Sequence, residues 1–70
     1  MSKADKMFEE LGYEKQEEYT YCKKLGNIFY QYIDFFENDK SYRKFINKGW
    51  NYTVEEHLAI HEKMKELGWI

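Results

Sequence analysis

The chain has 70 residues, a single cysteine, no proline, a net charge of −2 and 20% aromatic residues. One cysteine excludes an internal disulfide framework and fits a reducing compartment. A chain this short buries only ~60% of its unfolded surface, so one small domain spanning residues 1–70 is expected, with a thin core. Aromatic side chains suit that problem, because each buries ~150–250 Å². No apolar run approaches the ~20 residues of a membrane helix, and the stretch MSKADKMFEE has no export-signal core, so a cytoplasmic protein without a membrane partner is expected. Asn51-Tyr52-Thr53 spells a glycosylation acceptor, which has no meaning in that compartment.

Charge is unevenly spread. Residues 1–18 carry three lysines against six acids, and residues 53–70 carry two lysines against four glutamates. Residues 19–52 carry six bases against three acids, together with eleven of the fourteen aromatics. The ends are acidic, and the middle is basic and aromatic.

In chain order, the first element reads as a helix. Ser2 is its cap, with Asp5 three residues on, and Ala4, Met7, Phe8 and Leu11 recur at helical spacing. Gly12 supplies the left-handed residue that closes it, and Tyr13 can fold back on Phe8. Period-two material follows. EYTYCKK is the first strand, Leu25-Gly26-Asn27 a turn, NIFYQYIDFF the long central strand, Glu37-Asn38-Asp39-Lys40 a second turn and SYRKFI the third strand. The loop NKGWNY leads to Thr53, a helix cap completed by Glu56 as a capping box. Val54, His57, Ile60, His61, Met64 and Leu67 share one face of this last helix, Gly68 ends it, and Trp69 can pack back on Met64.

Short links between neighbouring strands favour an antiparallel meander. The expected fold is therefore α+β in the order α-β-β-β-α, a three-stranded meander with both helices on one face. The core face is assigned to Phe29, Ile33 and Phe35, with Cys22 from the first strand. A three-residue second turn sets Phe45 opposite Ile33; a two- or four-residue turn sets Tyr42 opposite Phe35. The opposite face then holds Tyr19, Tyr21, Ile28, Tyr30, Tyr32 and Phe36. Trp50 is assigned as a plug over the core.

The two ends, KADKMFEELGYE and TVEEHLAIHEKMKELGW, resemble the termini of small uncharacterised proteins encoded by phages and prophages of Gram-positive, low-GC bacteria. The matching residues are Ala4, Asp5, Met7, Phe8, Leu11, Gly12 and Tyr13, then Thr53, Glu56, Ala59, Ile60, Lys63, Glu66, Leu67, Gly68 and Trp69. His57 and His61 depart from that pattern, which has an apolar and a polar residue there. The resemblance covers the two helices and implies an origin in a bacterial host cytoplasm and no particular activity.

Chemistry-bearing residues are few. His57 and His61, four apart on one helix, can reach one metal ion, with Cys22, Asp34 or Glu62 as a third ligand; the competing assignment packs both at the core edge. Cys22 as a nucleophile needs a base brought by folding, and otherwise is a small buried hydrophobe. There is no glycine-rich phosphate loop, so no catalytic residue and no cofactor is assigned and the chain is expected not to be an enzyme. The acidic group Glu9, Glu10, Glu14, Glu17 and Glu18, at the end of the first helix, could meet a basic partner or stand as a solvated face.

The middle offers a binding surface. Tyr19, Tyr21, Tyr30 and Tyr32 form a platform, with Lys23, Lys24, Arg43 and Lys44 at its rim. Aromatics are enriched at protein interfaces, so the first expectation is a protein-interaction module acting on a host or phage protein, or a homodimer. Bases interleaved with aromatics also serve single-stranded nucleic acid, which is the second expectation. The structural alternative is a wet sheet back whose lysines protect its edges.

Overall fold

The computed structural model describes residues 2–27, 30–46 and 51–70. Ile28, Phe29 and Trp50, to which the sequence reading gave places, lie outside them. Helix α1 (Lys3–Glu10) is followed by β1 (Glu14–Glu17), β2 (Thr20–Lys24), β3 (Tyr30–Phe36), β4 (Ser41–Ile46) and helix α2 (Val54–Glu66). The class is α+β, but the sheet has four antiparallel strands in the order β1-β2-β3-β4, not three. The added strand, EKQE, is exposed at every position. It lacks the apolar alternation by which strands are recognised, and is held by its ladder to β2 and by Lys15, whose ammonium lies 3.1 Å from Asp5 of α1. Glu14 and Glu17 therefore belong to a strand and are not part of an acidic helix end.

Both helices use one device at each end. Ser2 Oγ accepts the Asp5 N–H at 3.0 Å, and Thr53 with Glu56 forms the full capping box. At the other end the chain turns through a left-handed glycine, Gly12 with φ 94° and Gly68 with φ 78°. The next residue then bonds back, Tyr13 N–H to the Phe8 carbonyl at 3.0 Å and Trp69 N–H to that of Met64 at 2.9 Å. This is the Schellman closure, and it folds the following aromatic onto the core. Asp5 does not repeat the reciprocal half of a capping box; its carboxylate serves Tyr21 and Lys15 instead.

The turn at residues 37–40 has four residues, so Phe35 pairs with Tyr42, Ile33 with Lys44 and Tyr32 with Phe45. Across the other ladder Tyr21 pairs with Ile33, and Cys22 with Tyr32. Paired residues share a face. Tyr21, Ile33 and Phe35 thus point to the same side, where they join Phe8, Tyr13, Ala59 and Ile60 in one core, with both helices over that face. Phe8 stacks on Tyr21 with ring centres 4.1 Å apart and meets Tyr13 and Phe35 edge-on.

This exchanges Tyr21 and Cys22 relative to the sequence expectation: the tyrosine is buried and the cysteine lies on the far face. The cause is that Tyr21 has a partner at the core edge, since its hydroxyl donates to half-buried Asp5 of α1. Helix α2 is also rotated from the expected face. It buries Glu56, Ala59, Ile60 and Lys63, while Val54, His57 and His61 are exposed. Ile60, Met64 and Leu67 of the expected face do meet the core, and the stripe departs from that face through the charged Glu56 and Lys63, which apolar spacing passes over.

Candidate docking face

Two polar arrangements merit comparison. The first is buried between sheet and α2. Tyr13 donates its hydroxyl to Glu56, Gln31 donates its amide to both, and Lys44 reaches Glu56 at 2.9 Å. The Glu56 carboxylate also accepts the Thr53 N–H at 2.9 Å. Burial alone would raise the Glu56 carboxyl, but the Tyr13 hydroxyl, the Thr53 N–H and the Lys44 ammonium outweigh it and bring it down to about 2. Tyr13 moves the opposite way, raised by burial and by the carboxylate it serves. No buried side-chain polar atom among the described residues lacks a partner. The cluster is closed on itself, and its members hold the fold.

The second arrangement is the outer face of the sheet. Register sets two rows across the strands, Glu14-Cys22-Tyr32-Phe45 and, past a shift in the β1 ladder between Lys15 and Glu17, Glu17-Thr20-Asp34-Arg43, with Lys24 beside Tyr30 and Phe36 beside Ser41. The Tyr30 and Tyr32 rings stack 6.3 Å apart at 27°, and Tyr32 lies 6.4 Å from Phe45. Phe36 and Phe45 are 41% and 54% exposed, high for phenylalanines in a chain with so little core to spare. Asp34 ties its row together, accepting from Thr20 at 2.9 Å and from Arg43 at 3.2 Å. The Arg43 guanidinium also covers the Phe36 ring at 5.4 Å. An open hollow of about 370 Å³ lies against Glu14, Gln16, Cys22, Lys24, Tyr30 and Tyr32. The Cys22 thiol beside Tyr32 raises the tyrosine's phenol above its ordinary value.

The eight residues expected at a binding surface divide between the faces. Tyr30, Tyr32, Lys24 and Arg43 share the outer face. Tyr21 and Lys44 are buried on the helix side, Lys44 in its pair with Glu56. Tyr19 packs against the core, its ring 5.8 Å from the Lys63 ammonium, and Lys23 lies 5.7 Å from the Tyr13 ring. Phe45 was not singled out for the surface. The four-residue turn places it there, because it alternates with Tyr42. His57 and His61 are exposed on α2, while Cys22 and Asp34 lie on the sheet face turned away from both helices and cannot complete a site with them. Among the described residues no cluster of three or more metal-ligating side chains occurs, and no helix is long and apolar enough to cross a membrane.

No protein-family model matches the chain, and neither does any curated protein or solved structure.

Proposed function

We propose that the chain is a non-enzymatic protein-interaction module that docks through the outer face of its sheet. The observation that carries this reading is the aromatic group of exposed Tyr30, Phe36 and Phe45 with half-buried Tyr32, on the sheet face that neither helix covers. Aromatic rings of this kind are enriched in interface cores, and here they share the face with Glu14, Lys24, Asp34 and Arg43. The likeness of the two ends to phage and prophage proteins supports a phage or host protein as the partner, in a bacterial cytoplasm.

Single-stranded nucleic acid is the second reading, favoured by the near-parallel Tyr30 and Tyr32 rings with Lys24 and Arg43 on their face. It is weakened by the loss of Lys23 and Lys44 to the helix side, by the engagement of Arg43 with Asp34, and by a net charge of −2.

The test is binding by the immobilised chain and by its Tyr32→Ala variant. Protein retention that survives nuclease and high salt, and is lost in the folded variant, supports the first reading. Retention of oligonucleotides that falls steeply as salt rises replaces it with the second. A Tyr32→Ala chain that is folded and binds as before removes the outer face from either.

A further inference from the structure

We infer that the outer face closes on a second copy of this chain, the two sheets stacking about a two-fold axis that runs along the strands. The inference rests on reading this face as a protein-docking surface, and names its occupant.

The argument is one of charge. Across the sheet, from β1 to β4, one row reads Glu17, Thr20, Asp34, Arg43. A two-fold axis along the strands, between β2 and β3, lays β1 of one copy over β4 of the other and β2 over β3. Glu17 then faces the second copy's Arg43, and Thr20 faces its Asp34, each contact occurring twice. Acid meets base at Glu17 and Arg43, while the Thr20 hydroxyl, already donated to Asp34 of its own chain, adds no bond to the second copy's carboxylate. An axis across the strands would lay each strand on its own copy, acid against acid. Arg43 can serve both carboxylates, because a guanidinium has five donors and its bond among the described residues is the one to Asp34 at 3.2 Å. In the next row, Cys22 meets the second copy's Tyr32 and Glu14 meets its Phe45, while Lys24 comes over its Tyr30 ring. Aligned sheets pack about 10 Å apart in this way, at about −30°.

The flat area on offer is on the order of 400 Å², from four strands about 4.8 Å apart and about 20 Å long. That is below the ~800 Å² per partner of a stable complex, so a weak, concentration-dependent dimer is expected.

Sedimentation of the whole chain over a wide concentration range tests this. Wild type should move from the 8.7 kDa monomer towards twice that mass as concentration rises. Glu17→Arg and Arg43→Glu should each weaken association about tenfold or more, since each sets like charges opposite twice over. Mixed in equal amounts they should associate again, because each reversed residue then faces its complement on the other chain. Phe45→Thr, which adds no charge, should weaken self-association independently if Arg43→Glu disturbs the fold beside Asp34. A wild-type chain that stays monomeric throughout, a dimer indifferent to all three substitutions, or variants that fail to rescue each other would each overturn the inference. Loss of the dimer inference leaves the docking face standing if Tyr32→Ala still abolishes capture of another protein; if that fails too, both fall.

Discussion

On one side of the four-stranded sheet, Tyr13 and Tyr21 are buried and each hydroxyl ends on a carboxylate, Glu56 and Asp5. On the other side, Tyr30 and Tyr32 stack on each other at the surface. The residue type is the same, and so is the sheet. What differs is whether a helix brings an acceptor to the phenol. A tyrosine carries enough apolar area to favour burial, and its one polar atom decides against burial only where no partner waits for it. The helix side is therefore a polar core assembled around aromatic rings, with Lys63 lying over Tyr19 and Tyr21, and the outer side is an aromatic surface that no part of the described chain covers.

The difference can be broken most severely at Tyr21. Tyr21→Ala removes a fully buried ring stacked on Phe8 and leaves Asp5 without its hydroxyl donor, at a cost of about 3–5 kcal/mol. A domain of this length has roughly that much stability in total, so the variant should be largely unfolded by circular dichroism at 25 °C. Tyr32→Ala, one strand over and facing out, should cost about 1 kcal/mol or less. Equal losses from the two substitutions would mean that the faces do not differ as described.

A smaller effect sharpens the polar half of the contrast. Glu56→Gln keeps the shape but leaves the Lys44 ammonium, whose side chain is 4% exposed, without its counter-charge. A loss of about 3 kcal/mol is expected in urea unfolding. The same residue sets the acid limit of the wild type. Its carboxyl titrates at about 2 in the fold against 4.5 for the free group, so its stabilisation is whole above about pH 4.5 and is lost as pH falls towards 2. That loss is about 2–3 kcal/mol, and it should be largely missing in Glu56→Gln. A residual slope remains from Asp5, also held below its ordinary value: burial opposes this, and the Tyr21 hydroxyl and Lys15 overcome it.

The same distinction explains what could be read in advance. Caps and closures are local, and Ser2, Gly12, Thr53, Glu56 and Gly68 announce them by identity and spacing alone. The strand SYRKFI was equally legible, and so was the place of the turn before it, but not the turn's length, which left the register open between Phe45 and Tyr42. Strand β1 was not, because EKQE buries nothing and its pairing is imposed by the reversal at Gly12. The buried stripe of α2 was hidden by Glu56 and Lys63, whose burial depends on groups far away in sequence. For the surface, Tyr30 and Tyr32 followed from alternation along the strand, whereas Lys24 and Arg43 were named together with their neighbours Lys23 and Lys44, which alternation sends to the other face. Tyr21 and Lys44 were misassigned because their partners, Asp5 and Glu56, arrive from the two ends of the chain.

The smallest expected change in stability belongs to Phe45, and its smallness is informative. Phe45 is 54% exposed, with the Tyr32 ring of the outer face 6.4 Å from its own. Threonine keeps the β-branched preference for a strand, so Phe45→Thr should change stability by no more than about 0.5 kcal/mol when measured on the monomer. An exposed ring in so small a domain contributes little to the fold, yet carries the apolar area that an interface would use. The substitution should therefore separate the two quantities: unfolding by urea unchanged, and association through the outer face reduced. If Phe45→Thr destabilises the monomer as Tyr21→Ala does, the ring belongs to the core and the outer face loses the most exposed of its rings.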